Sequence, residues 1–551
     1  MKKVIPILPA QRLESFQQCA RRAWLEEHRP ELAQAPEDAA YWQLQAEAVN
    51  RAARRQFQGA FTVHGSPEES LAMTRELMTR HPQASFFDAS FVTQGVHFRP
   101  DVLETKSRGL IASEITASTL RDGALDKDKH QRLSHRLSVM AWGLARHRFK
   151  AMQFAVHGLD RDVTWDGKDP TYQGLLTRVD MTEAVKEGRK NIPEEVQALR
   201  DVLQSNREPK VKVTRHCKKP FPCPFSEHCK SQKGRPALTI YDIPGKFWMV
   251  QDRWASMGYY DLTKVPAHEL DAAPEALQPV LHSLLSGTPW KSKKAAQALK
   301  ELPFPRYYFD FEAISLALPA WKDRRPYEQV PFQWSLHIET APGVFTHKAF
   351  IELSGNDPAK ACATSLIRAL GKKGPVLVYH ASYEGSRLKE MAERYPEMSK
   401  ALLSIATRLV DLELWVRDFY YHPDMKGSYS IKKVLPCLAP DFSYDQLEGV
   451  KNGVDAQLGY LAAVGGGFDK AMFNLTRQRL LRYCSHDTWA MVVTAYRLAG
   501  KKVPARPADT PRPAGTNTFN QARLTKAHVS RVWQLWEQNL PSQKAQVHWA
   551  A

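Results

Sequence analysis

The sequence predicts a mixed α/β protein with two α/β units, and three patterns along the chain lead to this prediction. Short extended runs in residues 85–116 precede a helical pattern and a further strand, which is the order of a small sheet flanked by helices. A second series of strands and helices opens at Tyr307. Between them, residues 236–303 are mainly helical and contain several prolines, which indicates a small connecting module.

In the N-terminal unit, apolar residues recur at helical spacing through residues 12–57. Four short extended runs follow, at 91–92, 96–98, 102–103 and 110–111. A long helix is predicted at about 126–146 and a strand at 153–157.

In the C-terminal unit, strands are predicted at 307–312, 332–338, 344–352 and 376–380, and helices near 358–370, 384–395, 398–404 and 475–498. Residues 501–516 are Pro-rich and predict a linker. A short amphipathic helix follows, whose Trp533 and Trp536, with Trp549 beyond, would either dock a partner or pack back onto the body. The predicted domains are therefore 1–235, 236–303, 304–500 and 501–551.

The composition excludes several classes of protein. The chain has 551 residues, 43% of them hydrophobic and 25% charged, which is ordinary for folded proteins and excludes a disordered chain. No run approaches the roughly 18 apolar residues of a membrane helix, and Pro6 and Pro9 break the short apolar run near the start. We therefore expect a cytoplasmic protein with no membrane partner.

The net charge indicates a polyanionic partner. Lys and Arg number 77 against 59 Asp and Glu, which gives a formal charge of +18 and a pI near 9.4. Basic side chains on phosphates release condensed counterions, so this charge favours nucleic acid. A generally basic proteome is the alternative explanation.

Two acids in a hydrophobic strand point to a metal site. Side chains alternate across a strand, so Asp310 and Glu312 face the same side, a short distance apart. Two ionised carboxylates there repel each other, and a hard divalent cation with oxygen ligands is the usual compensation. The alternative is a strand end with two solvated acids.

Further acids recur downstream at the ends of other elements. Glu384 follows the strand that starts at Val376, and Asp411 follows a helix. Tyr483 and Asp487 are four residues apart on a helix and therefore share one of its faces.

This constellation resembles the DnaQ-like exonucleases of the ribonuclease H-like fold, the DEDD class, over about residues 305–498. The resemblance implies a metal-dependent exonuclease in which four acids hold two ions, Mg²⁺ or Mn²⁺, and a tyrosine positions the attacking water. The acids would be Asp310, Glu312, Glu384 and Asp487, and the tyrosine would be Tyr483.

Two positions depart from this pattern or leave it open. The family usually has aspartate in its second motif, where this chain has Tyr383-Glu384. Glutamate is one methylene longer but is still a hard oxygen ligand. Asp411 is either a reserve ligand or a helix cap.

The segment 420–436 combines aromatic, small and basic residues. Tyr429, Lys432 and Lys433 would stack bases and hold phosphates beside the metals. The compatible structural interpretation is a loop that enters a helix capped by Ser430.

In the N-terminal unit, Arg99-Pro100-Asp101 is followed thirteen residues later by Glu114. This pattern resembles the PD-(D/E)XK nucleases, with RecB-like and CRISPR-associated iron–sulfur members as the nearest match, over about residues 10–232. The resemblance implies a second metal site at Asp101 and Glu114. The family's lysine is replaced by Thr116, and its histidine and glutamine have no clear counterparts. We therefore expect a degenerate nuclease that holds DNA, with retained activity as the alternative.

The cysteines indicate a second kind of metal centre. Cys217, Cys223 and Cys229 fall within thirteen residues, and seven cysteines in all are too few for a disulfide scaffold. Together with Cys19 they resemble the four-cysteine staple of the same nuclease family. The resemblance implies a [4Fe–4S] cluster, with zinc as the second candidate. Four unrelated core cysteines are the alternative.

The order of the two modules, with the linking residues 241–244, resembles a bacterial family of largely uncharacterised proteins that joins a RecB-like module to a DnaQ-like one. The resemblance implies a 3′–5′ exonuclease in the C-terminal domain, with the N-terminal module binding or selecting the substrate. DNA is favoured over RNA. The alternatives are an impaired nucleic-acid-binding scaffold and a dual nuclease with both sites active.

Overall fold

The computed structural model describes residues 7–511 apart from residues 35, 37, 108, 148, 150, 151, 170, 466 and 467. The chain divides into two compact units. The first unit comprises Met1–Arg235 and Leu316–Glu328, and the second comprises Pro236–Ser315 and Gln329–Ala551. Both are mixed α/β, as predicted. The predicted C-terminal helix, with Trp533 and Trp536, and Trp549 lie outside the described residues.

The first unit contains short strands and helices of varied length. Its helices are α1 (Gln11–Gln18), α2 (Ala20–His28), α3 (Ala39–Arg54), α4 (Pro67–Arg80), α5 (Lys127–Leu144), α6 (Thr182–Gly188), α7 (Ile192–Gln204) and α8 (Ser226–Lys230). Its strands are β1 (Leu8–Pro9), β2 (Phe61–Thr62), β3 (Ser85–Phe87), β4 (Phe91–Thr93), β5 (Val96–Phe98), β6 (Val102–Lys106), β7 (Gly109–Leu120), β8 (Met152–Asp160) and β9 (Leu176–Asp180).

The main sheet of the first unit has six strands in the order β2-β3-β6-β7-β8-β9, and a smaller sheet has the order β1-β5-β4. Strand β7 pairs antiparallel with β6 and parallel with β8. Helix α5 begins after Asp126, whose side chain accepts a hydrogen bond from the Lys129 N–H. Its apolar face, with Leu133, Leu137 and Met140, packs into the core over the sheet. The predicted helix at 126–146 and strand at 153–157 are thus confirmed.

The second unit contains eleven helices and seven strands among its described residues. Its helices are α9 (Trp248–Ser256), α10 (Ala267–Asp271), α11 (Gln278–Ser286), α12 (Lys294–Glu301), α13 (Ala359–Ala369), α14 (Ala381–Arg394), α15 (Ser399–Ala406), α16 (Leu412–Phe419), α17 (Ile431–Leu438), α18 (Gly453–Val464) and α19 (Lys470–Leu498). Its strands are β10 (Trp290–Lys291), β11 (Arg306–Ser315), β12 (Gln329–Ala341), β13 (Val344–Ile351), β14 (Val376–Val378), β15 (Leu409–Asp411) and β16 (Tyr420–Tyr421).

The central sheet of the second unit has the order β13-β12-β11-β14-β15. Strands β11, β12 and β13 are antiparallel, whereas β14 pairs parallel with both β11 and β15. Phe309 and Phe311 of β11 pack on one face with residues of α13, α14 and α15. Tyr308 packs on the other face with Trp489 of α19. The strands and helices predicted for this unit are confirmed, although β11 and β12 extend further than expected.

Residues 236–303 share a buried core with other parts of the second unit. Ile240, Trp254 and Leu281 belong to one buried cluster that also contains Tyr420 and Leu498. The helices of this segment are short, and their apolar faces are buried against one another and against residues between 416 and 498. Among the described residues, no helix combines the length and apolar character needed to cross a membrane.

Candidate active site

Strand β11 carries the first two acids of the site. Asp310 pairs across the sheet with Ser335 and Glu312 with Gln333, and the register shifts directly after Glu312. Alternation along the strand places both carboxyl groups on the Tyr308 side of the sheet, which helix α19 covers. Glu312 is 7% exposed, and Asp310 is half-buried. The predicted shared face of the two acids is therefore present.

Helix α19 supplies Asp487 and Tyr483 one turn apart, as predicted from their spacing. The Tyr483 side chain is buried, and burial, followed by the charge of Asp487, raises the pKa of its phenol. The Tyr444 hydroxyl donates to Asp487 Oδ1 at 2.6 Å. The Tyr444 phenol therefore holds the Asp487 carboxylate in place.

Glu384 lies in the first turn of α14 and is 2% exposed. Its Oε2 atom is buried without a hydrogen-bond partner among the described residues. Such an oxygen is costly to bury unless something compensates its charge. Glu384 therefore has a free acceptor at the place where the resemblance implies a metal ligand.

Asp411 has a structural role. Its carboxylate accepts the Glu413 N–H at 2.8 Å at the start of α16, and it also accepts the N–H groups of His380 and Ala381 at 3.1 and 2.9 Å. His380 adopts a φ of +82°, which turns the chain from β14 into α14. The helix-cap interpretation of Asp411 is confirmed, and the same bonds position the helix that carries Glu384.

The four predicted acids form one electrostatic cluster. Burial raises the pKa of Asp310, and the neighbouring Asp487 raises it further. Burial followed by Asp310 raises the pKa of both Glu312 and Glu384. Burial also raises the pKa of Asp487, although the hydrogen bond from Tyr444 opposes this effect. Acids that raise one another's pKa need a positive charge when they ionise.

Lys432 provides part of that positive charge. Its Nζ lies 5.4 Å from the ring centroid of Tyr444 and 5.5 Å from that of Tyr483, and it donates to the Lys451 carbonyl at 2.7 Å. The ammonium group lowers the pKa values of Asp310, Glu312 and Asp487 against the effect of burial. Lys432 is thus close enough to the acids to stabilise their ionised forms.

The other two residues predicted to bind nucleic acid lie in different surroundings. Tyr429 is 6% exposed, its ring lies edge-on to Tyr421, and Arg417 lies 5.0 Å from its ring centroid. Its ring is part of the core, which corrects the prediction that it stacks a base. Lys433 is exposed beside Cys437. Ser430 precedes α17 but makes no capping hydrogen bond with its side chain.

Cys484 of α19 is a further member of the site, which the sequence analysis did not identify. Its Sγ donates to Asp310 Oδ2 at 3.8 Å. Asp310, Glu312 and Cys484 offer ligand atoms that all lie within 4.8 Å of one another, and no other three potential ligands do so among the described residues. Tyr444 is a second member that was missed, because no helical or strand spacing relates it to Asp487.

In the first unit, β6, β7 and α5 bring the predicted acid pair together with a cation. Asp101 Oδ2 accepts the Ile115 N–H at 2.7 Å, and Glu114 is completely buried. Arg136 Nε lies 3.0 Å from Glu114 Oε2. The hydroxyl of Thr116, at the position of the expected lysine, accepts the Ser118 N–H.

The four predicted cysteines line one cavity of the first unit, together with Arg22, His216, Phe225 and other residues. Cys19 lies at the start of α2, and Cys217, Cys223 and Cys229 lie in and before α8. All four are free thiols. Burial, with the neighbouring cysteines, raises the pKa of Cys229 to about 11.

The spacing of these sulfur atoms bears on what they could hold. No three of the four lie within 4.8 Å of one another. Four thiolates on one zinc ion, each about 2.3 Å from it, would be separated by only about 3.8 Å. As they stand, the four sulfur atoms are not gathered as closely as the ligands of a single zinc ion.

Comparison with known proteins matches a family model described as a domain of unknown function, DUF2779, over residues 307–430. Uncharacterized protein MG366 homolog of Mycoplasma pneumoniae is 29% identical over 221 residues, 37% of this chain and 33% of that protein. Uncharacterized protein UU173 of Ureaplasma parvum is 27% identical over 229 residues, 37% of this chain and 32% of that protein. The chain therefore spans about a third of the length of these curated relatives.

No solved structure matches the chain significantly. The family match includes Asp310, Glu312 and Glu384 but ends before Asp487. The helix that carries Asp487 and Tyr483 therefore lies outside the matched residues.

Proposed function

We propose that the second unit is a metal-dependent 3′–5′ exonuclease that hydrolyses phosphodiester bonds in nucleic acid. The observation that carries this proposal is the convergence of Asp310, Glu312, Glu384 and Asp487 on one cluster beside Tyr483. The strand order of the central sheet, with β11 in the middle, supports the resemblance to the ribonuclease H-like fold.

The residues of the cluster fit divalent ions, because carboxylate oxygens are the ligands that Mg²⁺ and Mn²⁺ prefer. Asp310, Glu312, Glu384 and Asp487 would hold them. When bound, two such ions activate a water molecule and stabilise the leaving oxygen of the substrate. The unpartnered Oε2 of Glu384 is available for this purpose.

The protein's own groups then position the reactants. Tyr483 orients the attacking water by hydrogen bonding, because burial and Asp487 raise the pKa of its phenol and leave it protonated. Tyr444 fixes the carboxylate of Asp487. Lys432 places a positive charge where the scissile phosphate would lie.

The first unit is proposed to bind or select the substrate, in keeping with the net charge of +18. Cys19, Cys217, Cys223 and Cys229 are proposed to hold a [4Fe–4S] cluster, which would stabilise the segment from 207 to 230. The four sulfur atoms around one cavity support this assignment.

Digestion of 5′-labelled single-stranded DNA and RNA with Mg²⁺ or Mn²⁺ tests the proposal. We expect fragments that shorten progressively from the 3′ end, and a loss of at least about 10³-fold in rate for Asp310→Asn. Asp424→Asn is the matched control, because Asp424 is an exposed aspartate of the same unit. An unchanged rate in folded Asp310→Asn would refute the assignment, and binding without cleavage by the wild type would favour the scaffold alternative.

A further inference from the structure

The acid pair of the first unit lies outside the proposed exonuclease site. The resemblance to PD-(D/E)XK nucleases implies a divalent ion between Asp101 and Glu114. Whether these residues fit such an ion depends on the charges already beside them. The structure places a guanidinium group at this position.

Arg136 reaches the acid pair from helix α5. Its Nε lies 3.0 Å from Glu114 Oε2 and 3.6 Å from Glu14 Oε1 of helix α1. Leu133 and Leu137 of the same helix are buried in the core. Its contacts place Arg136 on the side of α5 that faces the acids, and side chains of α1 and β7 meet at its guanidinium.

The electrostatics of the pair require a cation. Glu114 is 0% exposed, and neither of its carboxylate oxygens accepts a hydrogen bond from the described residues. Arg136 is close enough to form an ion pair with Glu114, but its N–H groups are not aligned for a hydrogen bond. Removing one partner of a buried ion pair is strongly destabilising, because the remaining charge is uncompensated. Asp101 and Glu14 add negative charge around the same guanidinium.

The guanidinium and a divalent ion are alternatives at this place. An ion ligated by Asp101 and Glu114 would lie within a few ångströms of Arg136, and like charges at that separation repel strongly where water is excluded. Arg54 is not the counter-ion of this acid pair, because its guanidinium donates hydrogen bonds of 2.8 and 2.9 Å to the carboxylate of Asp88. The residues present therefore do not fit the metal that the resemblance implies.

We propose that Arg136 is the built-in counter-ion of Asp101 and Glu114 and takes the place of a divalent cation, so the first unit has no catalytic metal. Arg136 is then a structural replacement for the ion. The proposal does not rest on the exonuclease assignment, because it concerns only the first unit.

Counting bound Mn²⁺ by electron paramagnetic resonance in the full-length chain tests the proposal. We expect the wild type and Glu114→Gln to bind the same number of ions. Arg136→Gln should gain about one Mn²⁺ per chain, because the freed carboxylates become available. Arg136→Lys, which keeps the positive charge, should gain none. The double variant Arg136→Gln/Glu114→Gln should lose the added ion.

Two outcomes would overturn the proposal. The first is a loss of one Mn²⁺ in Glu114→Gln, which would show that the wild-type acid pair holds a metal. The second is folded Arg136→Gln that gains no ion. If Arg136→Gln does not fold, Glu114→Gln and the equivalent Asp101→Asn in the otherwise wild-type chain still decide the question. Ions bound by the second unit are common to all variants, so failure of the exonuclease proposal would not alter the comparison.

Discussion

At the scale of single residues, the carboxylates of the second unit are defined by what contacts them. Asp487 accepts a hydrogen bond from Tyr444, whereas Glu384 keeps an oxygen without a partner among the described residues. A hydrogen bond that orients a metal ligand raises metal affinity without touching the metal. Tyr444, which holds the Asp487 carboxylate, therefore has a different role from Tyr483, which is proposed to orient the attacking water.

Replacing Tyr444 with phenylalanine should weaken metal binding by about tenfold, because Asp487 Oδ1 loses its donor at 2.6 Å. The check is the Mg²⁺ concentration needed for half-maximal cleavage. Tyr460→Phe is the matched control, since the Tyr460 hydroxyl is buried without a hydrogen-bond partner among the described residues. Equal Mg²⁺ dependence of the two variants would contradict the positioning role of Tyr444.

The stability of the metal-free protein should fall as the pH rises. Burial and mutual repulsion raise the pKa values of Asp310, Glu312 and Glu384 in the folded state. The folded chain then binds more protons than the unfolded chain, so the free energy of unfolding declines from about pH 4 upward, through the raised pKa values. Mg²⁺ should reverse the decline, because it compensates the ionised carboxylates.

Urea unfolding at several pH values, with and without Mg²⁺, measures this dependence. Asp310→Asn should flatten the decline, because it removes one of the repelling carboxyl groups. The comparison isolates the second unit, since Asp101 and Glu114 of the first unit also have raised pKa values and are present in both proteins. A steeper decline in Asp310→Asn than in the wild type would show that the cluster does not behave as described.

At the scale of elements, each site lies where two or more helices, strands or turns come into contact. Helix α19 crosses the face of the sheet that carries Asp310, and α14 starts at a turn held by Asp411. In the first unit, the cysteine cavity joins the start of α2 to a segment about 200 residues later. The Gln18 side chain reinforces this junction by donating to the carbonyls of His216 and Phe221, at 2.8 Å each.

Replacing Cys217 or Cys229 with serine should remove the visible absorbance, iron and sulfide that a [4Fe–4S] cluster would contribute, and should lower the unfolding temperature by about 5 °C or more. Cys437→Ser is the control, because Cys437 belongs to the second unit and does not line the cavity. Zinc in place of iron in the purified wild type would reject the cluster. Iron and sulfide at the wild-type level in both Cys217→Ser and Cys229→Ser would show that these cysteines do not hold the cluster.

At the scale of the whole molecule, the division into units does not follow the order of the chain. Leu316–Glu328 belongs to the first unit, although the strands before and after it belong to the second. The Ala317 N–H donates to Gln45 Oε1 at 2.8 Å, and the Tyr327 hydroxyl donates to the Ala117 carbonyl at 2.9 Å. The first unit is therefore incomplete at residue 235.

Isolated residues 1–235 should be less stable than the same fragment mixed with a peptide of residues 316–328. Leu318 and Trp321 are 6% and 8% exposed, and burial of each such side chain contributes about 1.5–3 kcal/mol. Urea unfolding of the fragment with increasing peptide measures the effect, with a scrambled peptide as the control. Equal stabilisation by both peptides would contradict the packing of this segment with the first unit.

Local spacing was enough to predict much of the candidate site. The two-residue period of a strand placed Asp310 beside Glu312, and the four-residue spacing on a helix placed Tyr483 beside Asp487. The same periodicities predicted the elements of both α/β units. These relations depend on backbone geometry within one element, so the sequence contains them.

The amino-acid sequence by itself therefore determined the mixed α/β class, the elements and the pairing of acids within each element. Only the tertiary structure decided that Tyr444 binds Asp487, that Arg136 neutralises Glu114, and that residues 316–328 complete the first unit. These contacts join residues from 22 to more than 200 positions apart. Their partners have no fixed spacing along the chain, because contacts between elements depend on how those elements pack.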